Sequence, residues 1–415
     1  MTQRLLLLRL PWFMVISTAA VIAGVCAPCL AGPKLTKYTT KHYILHTDLD
    51  KNMTRQAVVR ITAMAEEYSN RCKSFTGRIN TRFPLFLYKN RKDYLRHPGV
   101  VKGSSGTYNR RSLVAVAPRP GGSWHVVQHE GFHQFAHKMI RGRLPTWLNE
   151  GLASYFGAGV WTGDSLVVGA ISGHALKRVK SMIDDGKLMP LDKMLDMKQK
   201  EWNDKLKSQN YLQARSMVHF LVHADKGKYQ KALSGYIRDL SQGHSSSAAF
   251  RKRFGKNVKA FQTRYVQWWS KLEDNPSADL YDRIKVLTLT SFLARAHYTG
   301  RKFENIEAFF KAARNGTFKK VFAEIGRRNP SIWLPESLLA KNLPSGDDVK
   351  QWSLVRAERS PTRLKLAPGN GTVLLGSFTL GSRITVTVRT TRPTSKPASK
   401  PGARTPFPPE LLQRL

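Results

Sequence analysis

Two histidines one helical turn apart restrict the fold of this 415-residue chain more than any other feature. His129 and His133 belong to the pattern His-Glu-x-x-His, and side chains four residues apart on a helix lie on one face. Both imidazoles can then bind one metal ion, and Glu130 between them can take a proton from a metal-bound water. Chance produces such a match in roughly one of a hundred histidine-rich chains. The alternative is a partly exposed helix that carries histidines without a shared role.

A second predicted helix follows after a short loop and carries an acidic residue near its apolar face. It lies in the segment 144–156, whose sequence is LPTWLNEGLASYF. Its large apolar side chains are Trp147, Leu148, Leu152 and Phe156. Glu150 borders this face, and a carboxylate directed toward a core is costly unless it is paired or bound to a metal. A third histidine ten residues after His129 is excluded, because Met139 stands there.

The two motifs together resemble the gluzincin metallopeptidases. The layout of residues 38–275 is similar to the peptidase MA-like family of exported bacterial proteins, of the domain of unknown function 1570 type, with His46-Thr-Asp48 in the opening strand. The resemblance implies that His129, His133 and Glu150 bind Zn²⁺ and that Glu130 is the general base. It therefore implies a zincin-like fold and peptide-bond hydrolysis, with a peptide or protein as the substrate. The order of the predicted elements, strands first and helices later, separately suggests an α+β domain.

The sequence departs from related patterns at two places. Ser154 stands where thermolysin-like enzymes carry an aspartate that orients the first histidine, so this orienting contact must come from elsewhere or be weaker. The G-x-M-E-N segment of the gluzincin aminopeptidases is absent, so exopeptidase action is not supported and an endopeptidase is predicted.

Peptide hydrolysis also needs a group that stabilises the developing oxyanion. Tyr211 is the first candidate, because its predicted helix is the one that in gluzincins commonly passes behind the metal. Tyr155 and His219 are alternatives, and each of the three is otherwise an ordinary packing residue. His125 and His137 continue the histidine ladder, but a drift of about 40° per step directs them away from the metal. Each of them either contacts the substrate or is an ordinary surface or packing residue of the helix.

Pattern and turn residues predict the elements around these helices. Tyr38–His46 reads as a strand, Asp48–Thr76 as a long helix and Phe83–Tyr88 as a second strand. Ser112–Ala117 reads as a third strand, either interior or at a sheet edge where an extended substrate could add. Ser123 and Pro145 are predicted to start the two motif helices.

Later segments are predicted to be helical and then β. The helical pattern continues through 211–223 and 258–272, and residues 362–390 read as a small hairpin or sheet. The predicted division is a signal peptide at 1–31, a peptidase-like domain at 35–275, a helical extension at 276–340 and a small β segment at 346–390, followed by a flexible Pro/Lys/Thr-rich tail at 391–415.

The N-terminus is typical of an export signal. Arg4 and Arg9 precede an apolar run over residues 10–27, and small residues lie before a predicted cut at Gly32. A secreted or periplasmic protein is expected, with no stable membrane span once the signal is removed; the alternative is an uncleaved membrane anchor. Removal would leave Cys72 as the single cysteine, so an intramolecular disulfide is excluded.

The formal net charge of +40 attracts polyanions. The basic residues are scattered rather than clustered in runs, which favours non-specific contact with anionic polymers over a defined nucleic-acid site. Two rival functions follow from the charge: an inactive zincin scaffold that binds an anionic envelope polymer, and a nucleic-acid-binding protein. No recognised nucleic-acid-binding motif accompanies the charge.

Overall fold

The computed structural model describes residues 32–119, 122–204, 208–329, 332–357, 360–381 and 383–391. The predicted signal peptide, and the predicted tail beyond its first residue, lie outside these residues. The described residues from Lys34 onward belong to one compact unit. The predicted boundaries near 275 and 340 stay predictions.

A five-stranded mixed sheet lies at the start of the described chain. Its strands are β1 (Thr36–Thr39), β2 (Tyr43–Thr47), β3 (Phe83–Tyr88), β4 (Gly106–Tyr108) and β5 (Leu113–Val116), in the order β1-β2-β3-β5-β4. The three central strands are parallel, and the two outer strands are antiparallel to their neighbours. Helix α1 (Lys51–Cys72) makes the crossover from β2 to β3, and Asp50 caps its first turn through two backbone N–H groups.

The sheet corrects one prediction and decides between two alternatives for another strand. Tyr38–His46 is not one strand but the hairpin β1–β2, because Thr40 turns the chain: its backbone and its hydroxyl both bond to Tyr43. The third predicted strand exists as β5 but is interior, since the short strand β4 covers its outer side. The edge beside the motif helices is therefore β4, which the sequence analysis missed.

The motif helices follow helix α2 (Arg91–Arg96). They are α3 (His125–Met139) and α4 (Thr146–Gly157), and a two-stranded ribbon of β6 (Val160–Trp161) and β7 (Leu166–Val167) comes next. Both helices start later than predicted. Trp124 holds the N-cap position of α3 while the Ser123 hydroxyl accepts the His125 N–H, and Pro145 is the N-cap of α4 rather than its first residue.

A helical layer completes the surroundings of the site. Its members are α5 (Gly173–Asp184), α6 (Leu191–Asp196), α7 (Gln199–Asp204), α8 (Ser208–Gly227), α9 (Gln230–Ser241), α10 (Ser246–Phe254) and α11 (Val258–Ser270). Helix α8 is regular up to His223, because Asp225 and Lys226 adopt positive φ angles. The prediction of a helix over 211–223 is thus confirmed.

The C-terminal part consists of four helices and a second sheet. The helices are α12 (Ala278–Tyr298), α13 (Ile306–Arg314), α14 (Thr317–Arg328) and α15 (Glu336–Ala340), and a 3₁₀ turn spans Gly346–Gln351. The antiparallel sheet contains β8 (Trp352–Ala357), β9 (Ser360–Leu366), β10 (Val373–Leu380) and β11 (Ile384–Thr391). It starts ten residues before the predicted 362.

One hydrophobic core extends from the first sheet to the second, from Tyr43 to Val388. Gly376 lets β10 approach α12 closely, since a Cβ there would lie 2.0 Å from the Thr290 hydroxyl. The buried guanidinium of Arg295 on α12 pairs with Asp164 in the β6–β7 turn at 2.7 Å. The predicted α+β class is confirmed. None of the described helices is long and apolar enough to cross a membrane.

Candidate metal centre

The structure brings together three side chains that could hold a metal ion: His129 and His133 on α3, and Glu150 on α4. The two Nε2 atoms are 3.1 Å apart, and Glu150 Oε2 lies 3.3 Å from His129 Nε2 and 3.4 Å from His133 Nε2. The three side chains are 10–14% exposed. The arrangement is a nearly equilateral triangle of two imidazole nitrogens and one carboxylate oxygen.

The ionised state of Glu150 favours binding of a cation in this triangle. Burial raises the pKa of Glu150, but its contacts with His129 and His133 outweigh burial and lower the pKa to about 2. Burial lowers the pKa of His133, but the Glu150 carboxylate, the charge of Glu130 and a contact with Asn149 together raise it above its usual value. An ionised carboxylate thus faces two imidazole nitrogens, and this donor set suits a divalent transition metal.

The second ring nitrogens of the two imidazoles lack the hydrogen bonds that usually orient a metal-binding histidine. The Nδ1 atoms of His129 and His133 are buried and have no hydrogen-bond partner among the described residues. Metal-ligating histidines usually donate from the second nitrogen to a carboxylate or carbonyl. Ser154 does not take this role, which agrees with its departure from the thermolysin-like pattern.

Helix α3 is fixed against α4 by a buried glutamine that directly precedes His129. The amide of Gln128 donates to the carbonyls of Phe156, Gly157 and Gly159 at 3.0–3.2 Å. The Tyr68 hydroxyl of α1 donates to the Gln128 carbonyl. These contacts set the separation of the two helices that carry the triangle.

Glu130 is held by the edge strand. Its Oε2 accepts the backbone N–H of Tyr108 at 2.9 Å, so the last residue of β4 orients the carboxylate beside the triangle. Gly106 allows this close approach, because a Cβ there would lie 2.4 Å from Val126 on α3. Sequence analysis missed Tyr108. The Gly-Thr-Tyr-Asn-Arg-Arg-Ser run before β5 is compatible with a hairpin, but it does not by itself define strand β4.

Tyr211 lies on α8, near enough to Glu150 and Glu130 for their charges to act on its phenol. Its ring packs edge-on against Trp202 at 5.6 Å, and its side chain is half-buried. Burial and the negative charges of Glu150 and Glu130 raise the pKa of its phenol. The hydroxyl therefore stays protonated at neutral pH and can donate a hydrogen bond near both carboxylates.

The alternatives to Tyr211 belong to the interior. The Tyr155 hydroxyl lies 3.0 Å from His223 Nε2, and both residues are buried. The His219 ring is buried among Trp268, Trp269 and Tyr155. These contacts are those of packing residues.

The two outer histidines of the ladder differ from each other. His125 packs against Gly157, where an added Cβ would lie 2.9 Å from its ring. His137 is exposed, and its Nδ1 lies 2.7 Å from the Tyr108 hydroxyl. Neither belongs to the triangle.

Gly151 controls how closely α4 approaches α8. A Cβ at this position would lie 2.7 Å from the Ala214 carbonyl and 2.8 Å from Val218. Gly151→Ala is expected to lower the free energy of unfolding by about 1–3 kcal/mol, because the added methyl group would clash with the backbone of α8, which can move only at a cost in stability. Urea unfolding measures this. Gly173→Ala is the control, because its nearest new neighbour is 3.8 Å away and helical alanine is favourable. Equal stability of the two variants would contradict a tight α4–α8 contact.

Comparison with known proteins adds one finding. The model of a family described as "Protein of unknown function (DUF1570)" matches residues 124–243, a stretch that contains α3, α4 and α8. No curated protein matches the sequence. Over these residues the chain is thus similar to a family whose description assigns no activity, and the matched stretch includes His129, His133, Glu150 and Tyr211.

Proposed function

We propose that this protein is an exported, zinc-dependent endopeptidase with a gluzincin-type site. The observation that carries the proposal is the triangle of His129, His133 and Glu150 with Glu130 held beside it. His129, His133 and Glu150 would be the zinc ligands, and Glu130 the general base. Export rests on the N-terminal sequence, which precedes the described residues.

The spacing of the triangle supports zinc. Zinc bonds to histidine nitrogen and carboxylate oxygen are about 2.0–2.2 Å long, so two ligands of a tetrahedral site lie about 3.3–3.5 Å apart. The three observed separations are 3.1, 3.3 and 3.4 Å. Calcium and magnesium prefer sets of oxygen ligands, which two imidazoles do not supply. Three protein ligands also leave one tetrahedral position for water or substrate, as catalytic zinc sites require.

Each residue of the site has a separate role in the proposed hydrolysis. When bound, zinc would polarise the scissile carbonyl and acidify a water molecule. Glu130 accepts the proton of the attacking water and then delivers it to the leaving amine. The Tyr108 N–H fixes one oxygen of Glu130, so the other oxygen is available for this transfer. The Tyr211 hydroxyl donates a hydrogen bond to the developing oxyanion.

The edge strand offers a binding mode for the substrate. Strand β4 is the last strand of its sheet, and no described strand pairs with its outer side. An extended peptide can bind there through main-chain hydrogen bonds, which suits an enzyme that cleaves within a chain. The sequence analysis left β5 as either an interior strand or a substrate-binding edge; because β5 is interior, we assign this role to β4.

A second candidate function is an inactive zincin scaffold that binds an anionic polymer of the envelope. The unpartnered Nδ1 atoms of His129 and His133 favour it, since weak orientation of the ligands weakens a zinc site. The high positive charge supplies the attraction for such a polymer.

Zinc content and proteolysis separate the two candidates. We expect about one zinc per purified chain, cleavage of casein, loss of cleavage with a chelator and recovery on adding zinc. Serine-protease inhibitors are the control for a contaminating enzyme and should have no effect. Stoichiometric zinc without cleavage of casein or of a mixed peptide library would contradict the peptidase and favour the scaffold.

A further inference from the structure

We propose that a basic pocket at the end of strand β4 binds an acidic side chain of the substrate, so that the enzyme prefers peptides with Asp or Glu close to the scissile bond. This inference rests on the proposed function and specifies its substrate class. The basic pocket is lined by Arg110, His137, Lys138, Ile140, Arg141, Gly142 and Arg143. Its volume is about 500 Å³, enough for one or two side chains but not for a folded partner.

The chain builds the pocket from segments that also build the site. Arg110 lies in the turn that joins β4 to β5, and His137 and Lys138 form the last turn of α3. Arg141 and Arg143 lie in the loop from α3 to α4. The pocket is thus at the end of the edge strand, one helical turn beyond His133.

Tyr108 connects the pocket directly to the proposed base. Its N–H donates to Glu130, while its hydroxyl donates to the Arg110 carbonyl at 3.0 Å and lies 2.7 Å from His137 Nδ1. When the hydroxyl donates to the carbonyl, His137 can donate from Nδ1 to the same hydroxyl oxygen. A peptide that pairs with β4 near Tyr108 would place a side chain within reach of the pocket.

The positive charge of the pocket is not neutralised within the described part of the protein. Arg110, Lys138, Arg141 and Arg143 are exposed, and none forms an ion pair with a described carboxylate. Partial burial and the charges of Lys138, Arg110 and Arg143 lower the pKa of His137. A carboxylate bound here would therefore meet several unpaired donors, and arginine binds carboxylates through two parallel hydrogen bonds.

Arg110 is also held in an unusual backbone conformation. Its φ is +68°, a region that glycine and asparagine adopt at lower cost than arginine. The hydroxyl of Tyr108 fixes this turn by bonding to the Arg110 carbonyl. This turn therefore places Arg110, which lines the pocket, at the end of the edge strand.

The test compares peptides that differ only in charge. Fluorogenic peptides carry Glu or Gln, or Asp or Asn, at each position flanking the cleaved bond. For the wild-type protein we expect a kcat/KM about three- to tenfold higher for the best-placed acidic peptide than for its amide at low salt, and a smaller ratio at high salt. The double variant Arg141→Gln/Arg143→Gln should lose this ratio, because its kcat/KM for the acidic peptide should fall to the value for the amide peptide.

A matched control removes the same charge elsewhere. Lys256→Gln/Lys259→Gln changes two exposed basic residues near the start of α11 and should keep the acidic preference. A wild-type protein without acidic preference at any position, or equal loss in both double variants, would overturn the proposal.

Direct binding separates failure of the pocket from failure of the peptidase. The anisotropy of the labelled acidic and amide peptides is measured with the Glu130→Gln protein, with and without the Arg141→Gln/Arg143→Gln change. If the wild-type protein cleaves no peptide, the proposed function fails. An acidic-peptide site is still supported if the acidic peptide binds more tightly than the amide peptide and the Arg141→Gln/Arg143→Gln change removes this difference. Binding of single-stranded DNA that depends on the pocket, without any preference for the acidic peptide, would overturn the proposal in favour of a polyanion site.

Discussion

Glu130→Gln is expected to reduce peptide hydrolysis by roughly 10² or more while leaving the zinc content unchanged. An amide cannot accept a proton from water, and general base catalysis typically contributes about 10²–10⁴-fold. The amide oxygen of glutamine can still accept the Tyr108 N–H, so the side chain should keep its position. The measurements are kcat on a fluorogenic peptide and bound zinc after dialysis, both on purified, folded protein.

Two outcomes would contradict the role of Glu130. Full activity of Glu130→Gln would exclude it as the base, and loss of zinc together with activity would show that it supports the metal instead. Glu273→Gln is the matched control: this glutamate is exposed in a turn after α11, and its change should alter neither quantity.

The helices of the site were predictable because their sequences carry strong local signals. The histidine spacing and the apolar face around Glu150 define α3 and α4 to within a few residues. The starts were misplaced because the chain uses Trp124 and Pro145 as caps, although neither side chain satisfies a free backbone N–H. Helix ends depend on such contacts more than on periodicity.

The strand that orients Glu130 could not be predicted from pattern alone. Strand β4 has three residues, too few to show alternation, and its position depends on pairing with β5 and on the contact of Gly106 with α3. The second sheet was under-predicted for a similar reason. Strand β8 is defined by its pairing with β9, and the sheet packs on α12 through a contact between Gly376 and Thr290 that joins distant segments.

The sequence indicated that an orienting group is missing from the site, but it did not show how this affects the two histidines. Ser154 indicated that the usual orienting aspartate is missing. Only the fold shows that no other described residue replaces it at the Nδ1 atoms of His129 and His133. Because the imidazoles lack these partners, Glu150 carries a larger share of the orientation, since its carboxylate contacts both rings. Zinc binding should accordingly depend strongly on this one carboxylate.

Glu150→Ala is therefore expected to lower zinc affinity at least about 100-fold. Loss of an outer partner alone typically costs about 10–100-fold in metal affinity, and Glu150 would be a direct ligand. The variant leaves only two imidazoles, whose Nδ1 atoms have no hydrogen-bond partner among the described residues, to hold a dication. Competition with a chromogenic chelator measures the affinity. Zinc should also raise the melting temperature of the wild-type protein but not of the variant, because a ligand that binds only the folded state stabilises it.

Ser154→Ala is the control for this change. Ser154 lies one turn after Glu150 on α4, is also buried and makes no side-chain hydrogen bond to either histidine. Its replacement should keep the zinc affinity within a few-fold of wild type and leave the zinc-induced rise in melting temperature intact. If Glu150→Ala keeps full zinc, another residue is the third ligand, and the gluzincin assignment loses its main support. If Ser154→Ala loses zinc as steeply as Glu150→Ala, the serine orients the site despite its position, and the dependence on a single carboxylate is wrong.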